Sequence, residues 1–406
     1  MRILWHGYSP HGVSGMSIVG AELAKRLAMA HDVTIFGINY SGQQINWNNC
    51  KLVQNGFLGD ANGSQMLSYW LANVNPDVYI TNLNWQSISW IHGVLNQRYI
   101  NGRPLGVFLY VPIETEHYPP FIEEKLVKQH LNDVFLIPFN EPQYEMLKNL
   151  DAVVDYIPHG YDRNSYYPRP QARQQVRRWL GIGNRFTIIA CGENWRRKNW
   201  HILVQAFKKL QEMIDNPALI LHTSPAPSRG DAFYGGWYLN ALLNAHDLKL
   251  NQDVFVTRNN PVEPTPPDTL AQLYSAADVY ALATGGEGFG MTELEAMACG
   301  LPQVNSDLEN LKWLCGDASL YARTLLSDVM STGEVMKIPD PDDFAGKLKW
   351  LHDNPDKRKE MGEKGLERAK QFSWEKSAQK FLDLLEKYEN GELKGQSSWR
   401  YRRYQR

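Results

Sequence analysis

The sequence predicts an α/β protein built from two doubly wound units. Three observations carry this. Short apolar runs alternate with stretches of helical spacing along most of the chain. A proline- and glycine-punctuated stretch breaks the alternation near residues 158–176. The length of 406 residues suits two or three domains. Strands that alternate with helices imply parallel sheets covered on both faces.

Taken in order, Ile3 to Trp5 is a short apolar strand, and His6 to Met16 reads as a loop containing Gly7, Gly12 and Gly15. Ala21, Leu23, Ala24, Leu27 and Ala28 give helical spacing, and Val33 to Phe36 is a second strand. Asp77 to Thr81, Gly106 to Val111 and Val134 to Ile137 read as buried strands. Pro158, Gly160, Pro168 and Pro170 then mark a polar linker. The second series starts with a strand from Phe186 to Cys191. Asn199 follows as the cap of a helix carrying Leu203, Phe207, Leu210 and Met213. Ala218 to His222, Val254 to Thr257, Val279 to Leu282 and Gln303 to Asn305 are its further strands, and from Pro341 to about Tyr388 the pattern is helical. The expected division is 1–165, 166–375, a helix over 376–390 and a basic tail over 391–406. In such sheets ligands bind outside the carboxyl ends of the strands, and two units facing each other would enclose a cleft.

Apolar residues make up 43% and charged residues 21%, which excludes wholesale disorder. Lys and Arg number 42 against 44 Asp and Glu, so a globally basic nucleic-acid binder is not expected. The aromatic residues, 12% in all, belong mostly to cores, with a few left to stack on sugar rings. No apolar run reaches membrane-spanning length. Four scattered cysteines without a C-x-x-C pair argue against a disulfide framework or a zinc knuckle and suit a cytoplasmic protein. No secretory signal is expected, because Met1 runs directly into the first strand. From Lys394 onward, five cations are interleaved with Trp399, Tyr401 and Tyr404, without acids. Such a segment suits an anionic membrane surface or, as a lesser reading, a nucleic acid; a solvated tail is the plainer one.

The chemistry concentrates between Thr284 and Pro302. Gly285, Gly286, Gly288 and Gly290 follow a buried strand and allow a tight turn and close approach to a ligand. Thr292 is expected to open a short helix closed by Gly300 and Pro302. A glycine-rich loop feeding a helix start offers N–H groups and the positive dipole end to a phosphate. Glu287 and Glu295 flank this seat with seven residues between them. Carboxylates accept hydrogen bonds from polyols, which suits the ribose and hexose hydroxyls of a nucleotide sugar. The competing reading makes Thr292 and Glu295 a capping box; it leaves Glu287 and the glycines unexplained.

Glu287, seven residues, then Glu295, with G-F-G-M-T inside and E-A-M-A-C-G-x-P following, resembles the signature of the retaining glycosyltransferases of the large sucrose-synthase and mannosyltransferase family. This is glycosyltransferase family four, or glycosyl transferases group 1, whose fold is GT-B. The match is continuous from Thr284 to Pro302. Weaker similarity lies in Ile157 to Asp162, Leu273 to Asp278 and Phe372 to Glu375. The resemblance implies two Rossmann-like domains facing across a cleft, with a C-terminal helix crossing back to the first. It implies that Glu295 holds the ribose and Glu287 the donor sugar. Phe289, Gly290, Met291 and Thr292 would supply a main-chain cradle for the diphosphate.

The same family uses an Arg and a Lys, usually without a bound metal, to neutralise the leaving diphosphate, where charge develops. Its G-R-N-x-x-R-K-N pattern is similar to Gly192 to Asn199, and places Arg197 and Lys198 in these roles. Glu193 departs from the pattern, standing where Arg is usual, and a carboxylate there would repel a diphosphate at short range. Arg196 can replace the missing charge as a donor ligand, or pair with a Glu193 turned aside. A solvated charge cluster before a helix is the plain alternative. In the first domain the family's loop glycine that touches the donor corresponds best to Gly15. His117, in the loop after Gly106 to Val111, is a candidate for donor sugar or acceptor, and Glu114 or Glu116 for orienting the acceptor hydroxyl; an ordinary loop histidine is the alternative.

No carboxylate stands out as a nucleophile, so the residues are assigned positioning and electrostatic roles; front-face transfer, as the family implies, needs no conventional general base. Asp340 to Asp343 reads as a helix start, with Asp342 at its opening, rather than a metal motif. The expected activity is metal-independent, retaining transfer of a sugar from a nucleoside-diphosphate sugar, a substrate rather than a cofactor, to a glycan, lipid or small-molecule hydroxyl. Transfer to a nucleic acid and a non-catalytic partner role are the alternatives.

Overall fold

The protein's structure, a computed structural model, describes residues 1–12, 14–55, 63–95, 99–100, 103–115, 133–227, 235–258, 265–329 and 334–393. The chain forms two compact units. The first comprises Met1–Ile113, Tyr118–Gly160 and Ser373–Arg406; the second comprises Glu114–His117 and Tyr161–Phe372. The basic tail from Lys394 lies outside the described residues.

The first unit has strands β1 (Arg2–Tyr8), β2 (Asp32–Ile38), β3 (Ile45–Trp47), β4 (Cys50–Gln54), β5 (Val78–Thr81), β6 (Tyr99–Ile100), β7 (Arg103–Pro104), β8 (Gly106–Tyr110) and β9 (Asp133–Ile137). Seven form one sheet in the order β3-β4-β2-β1-β5-β8-β9, parallel except for β3 on β4. The expected loop from His6 to Met16 is shorter than the glycines suggest, because β1 continues through Gly7 to Tyr8. Gly7 serves close packing there: a Cβ would lie 2.1 Å from Asn82 Oδ1. Asn82 accepts from the Trp5 indole at 3.1 Å and donates to the Met16 carbonyl at 2.8 Å, tying the strand to the helix Gly15–Leu27. Ser14 caps that helix by accepting from the Ser17 amide, and Val19, Leu23 and Leu27 bury one face.

Two family-like runs far apart in sequence meet in this unit. Ser373 caps the helix Trp374–Glu389, and Trp374 stacks on His159 at 5.9 Å. A Cβ on Gly160 would lie 2.1 Å from the Trp374 amide nitrogen. The helix then sets Phe381 against Trp5 and Tyr110, and Tyr388 against Phe108 and Phe135. Both runs therefore dock the C-terminal helix onto the first sheet.

The second unit has β10 (Thr187–Cys191), β11 (Ala218–His222), β12 (Val254–Val256), β13 (Val279–Leu282), β14 (Gln303–Ser306) and β15 (Ser319–Ala322), in the order β12-β11-β10-β13-β14-β15, all parallel. An antiparallel hairpin, β16 (Thr324–Val329) and β17 (Val335–Pro339), follows. The expected linker is shorter than predicted: a helix starts at Pro170, where proline is tolerated at the first position. Arg173 of this helix meets Asp278 at 2.6 Å, and Asp278 also accepts from the Thr187 amide. Asp278, which closes the family-like run Leu273 to Asp278, is thus a structural tie. Asp340, not Asp342, caps the helix Pro341–Asp353, accepting from the Asp342 amide. The sheet order reverses between β10 and β13, and at such a switch point ligands bind beyond the strand ends.

Candidate active site

Both candidate loops leave the sheet at that reversal. The loop after β10 carries Gly192 to Asn199, and the loop after β13 carries Ala283 to Gly290. A main-chain bond joins them, the Gly285 amide donating to the Arg197 carbonyl at 2.7 Å, and the Lys337 amide of β17 donates to the Gly285 carbonyl at 2.8 Å. Gly290 ends the second loop at φ +105°, and the helix Met291–Ala298 begins after it. The first intrahelical bond is from Leu294 to Gly290, so the Met291, Thr292 and Glu293 amides are the ones helix bonding leaves over. A Cβ on Gly290 would come 2.7 Å from Leu314 Cδ2, so glycine is required there on both counts.

Glu287 is the meeting point of the two loops. Its carboxylate accepts from Lys198 Nζ at 2.5 Å and from Arg197 at 3.0 Å. Asn310 fixes its carbonyl at 2.7 Å. Burial alone would raise the Glu287 carboxyl; Lys198 and Arg197 outweigh it and hold the group well below the usual carboxylate range. Arg197 also pairs with Glu114 at 2.8 Å, and its charge is kept against burial by these two carboxylates. Glu114, a candidate for orienting an acceptor hydroxyl, is therefore engaged with Arg197.

Glu295 lies on the buried side of the helix. The Tyr274 hydroxyl donates to it at 3.4 Å and Tyr166 also bonds to it. Burial pushes this carboxyl up to about 8 despite those two hydroxyls. The capping-box reading fails here: Gly290 is the cap, and Thr292 sits at the second helical position, accepting from the Tyr280 hydroxyl at 2.9 Å. Phe289 is 2% exposed, between Trp313 and Phe372, which leaves its backbone for the loop.

Arg196 is not brought to Glu287. A short 3-10 turn, Arg196–Lys198, carries it outward to Asp328 at 2.8 Å, beside a cavity of about 120 Å³ lined also by Asn199, His201 and Trp237. The pairing expected between Glu193 and Arg196 does not form. Glu193 meets Arg258 instead, at 2.7 Å, because the partly buried Arg258 is at hand while Arg196 faces outward. Asn199 does precede its helix, but in a left-handed conformation without a side-chain cap bond; its side-chain Nδ2 donates to the Lys337 carbonyl instead. Gly15 is the first residue of its helix in the first unit. His117 and Glu116 lie outside the described residues.

Sequence reasoning missed Tyr166, Arg258, Asn310 and Glu293. Glu293 is fully buried. The Thr292 hydroxyl donates to its Oε2 at 3.1 Å, and Oε1 has no partner. Burial and then the nearby Glu287 charge raise its carboxyl toward neutrality, against the pull of Lys198.

Residues 173–368 match the family model described as Glycosyl transferases group 1. A D-inositol 3-phosphate glycosyltransferase from Corynebacterium kroppenstedtii is 30% identical over 57% of this chain and 48% of its own length. A GDP-mannose-dependent alpha-(1-6)-phosphatidylinositol monomannoside mannosyltransferase from Mycolicibacterium smegmatis is 31% identical over 38% of each. The chain spans about half the length, or less, of these curated relatives. Among solved structures, sucrose-phosphate synthase from Thermosynechococcus elongatus superposes with a TM-score of 0.74 over 96% of this chain and 99% of that one, at 18% identity. Over residues 173–368 the chain is therefore similar to the glycosyl transferases group 1, and its two units have the fold of solved GT-B enzymes.

Proposed function

We propose that this protein transfers a sugar from a nucleoside-diphosphate sugar to a hydroxyl of a glycan, lipid or small molecule, with retention and without a catalytic metal. The observation that carries the proposal is the largely buried Glu287–Arg197–Lys198 cluster beside the start of Met291–Ala298. A diphosphate at that helix start would be met by the Met291 and Thr292 amides and by the positive dipole end. Arg197 and Lys198 would share their charge between Glu287 and the phosphate oxygens as the glycosidic bond breaks, where stabilisation counts most. An oxygen of Glu287 released from them would accept from donor-sugar hydroxyls, and Glu295 from the ribose. The relatives' names, which include a GDP-mannose-dependent enzyme, support a nucleotide-sugar donor.

Glu193 gives no support to a non-catalytic role, because Arg258 neutralises it. The test is a panel of UDP-, GDP- and ADP-sugars with sugar and lipid acceptors, with the anomeric configuration of the product read by NMR. Retained configuration with one donor, unaffected by a metal chelator, is the expected result. Inversion, or binding without turnover on every acceptor, would defeat the proposal.

A further inference from the structure

Glu293 is unexplained by the roles above. It stands at the third position of Met291–Ala298, is fully buried, and leaves Oε1 without a partner. Its side chain folds back under the helix start: a Cβ on Gly290 would lie 3.2 Å from Glu293 Oε2. The cations that act on it, Lys198 and Arg197, are both bonded to Glu287. The groups facing it from the other packed elements are Glu287 in the loop, Tyr280 on β13 and Cys315 at the end of Glu309–Cys315; Glu295 follows on its own helix. None of these brings a further positive charge. Gln303 of β14 bonds only its main-chain carbonyl, at 2.6 Å.

We propose that Glu293 takes up a proton when a diphosphate binds at this helix start, so that donor binding is linked to neutralisation of a buried carboxyl. The inference rests on the donor reading above. A dianion placed over Gly290 adds negative charge beside a carboxylate that cannot turn out to water and has no cation of its own. Such a group neutralises rather than remain charged. The structure already favours the neutral form, through burial and Glu287. By linkage, donor affinity then falls as pH rises through the titration of free Glu293, by up to about tenfold per pH unit.

Isothermal titration calorimetry tests this with the full chain and UDP-glucose, GDP-mannose and ADP-glucose in turn. Binding is measured near pH 6 and pH 8, in phosphate and in Tris, whose ionisation enthalpies differ. The expected result is a buffer-dependent enthalpy at pH 8 reporting uptake approaching one proton, with much less near pH 6. Glu293→Gln should abolish most of the uptake and bind at pH 8 about as tightly as at pH 6. Glu295→Gln, which alters the other buried carboxyl, should keep the uptake. Donor binding by Glu295→Gln, in which the ribose acid can exchange no proton, without proton uptake would overturn the linkage even if Glu293→Gln failed to fold. Uptake that survives Glu293→Gln would do the same. Absence of binding by all three donors at both pH values would instead bring down the donor reading, and this inference with it.

Discussion

At Glu287 one carboxylate serves two cations, Lys198 buried and Arg197 nearly so, and each side chain of the cluster depends on the others. Lys198→Met leaves the helix start and Arg197 in place but removes one charge from the position where, on the proposed function, the leaving group would develop its own. We expect a fall in kcat on the order of 10²–10³ with a smaller change in KM. Glu287→Gln should cost turnover as well, together with roughly 3 kcal/mol of stability, because it leaves Arg197 and Lys198 with less countercharge. Steady-state kinetics with the identified donor and a urea melt check both; kcat within threefold of wild type for Lys198→Met would remove it from the chemistry. That these residues come together was legible because the motif spacing and the glycines place them on loops after neighbouring strands. Glu293 was not, since nothing in a linear sequence distinguishes a buried glutamate on a short helix from a solvated one. The partner of Glu193 was equally hidden: Arg258 is 65 residues away, and its approach is created by the β10–β11–β12 packing.

Among the elements, the two loops matter because they leave β10 and β13 where the strand order reverses. Gly290 is the joint between loop and helix. Gly290→Ala has to hold φ +105° with a side chain and displace Leu314, so it should lower stability by about 1–3 kcal/mol and weaken donor binding at least tenfold. Gly316→Ala is the control, since its φ of +50° is also positive but its Cβ would meet nothing within 4 Å. It should lose stability without losing affinity. Calorimetry and thermal melts separate the two; unchanged affinity in Gly290→Ala would show that the helix start does not hold the ligand. Most buried parallel strands were readable as apolar runs, usually to within one or two residues; β4 and β15 were not, since Cys50–Gln54 and Ser319–Ala322 mix polar residues into short, partly exposed stretches. The edge strand β3 was also missed, because Ile45–Trp47 is only three residues long and mostly exposed, too short for its alternation to stand out. The hairpin of β16 and β17 escaped for a related reason: Leu325, Leu326 and Val329 are exposed, so its apolar residues do not mark a core face.

For the whole molecule, the buried carboxyls of the second unit set how stability responds to pH. Glu295 has a folded value near 8 against an ordinary value of 4.5, so between these the native state binds more protons than the unfolded chain. Stability then falls as pH rises through that window, the reverse of an ion-paired carboxylate. Glu293 acts in the same direction. Glu287 acts oppositely: its contribution is present above the ordinary carboxylate range and is lost as pH drops through its depressed folded value. Glu295→Gln keeps the shape and removes the titration. At pH 4, where Glu295 is already neutral in the folded protein, the variant should melt within about a degree of wild type. At pH 8 it should be more stable by up to a few kcal/mol, a shift of several degrees in Tm for the second unit. The same variant should bind donor more weakly, because a neutral amide is a poorer acceptor for ribose hydroxyls. Differential scanning calorimetry at the two pH values, beside donor titrations, reads both effects. An equal Tm offset at pH 4 and pH 8 would show that Glu295 does not titrate in this window, while a gain confined to pH 8 with intact donor affinity would leave it a buried acid without a part in binding. The expected pairing of a stability gain with an affinity loss is the mark of a charged group kept in an unfavourable place for its ligand.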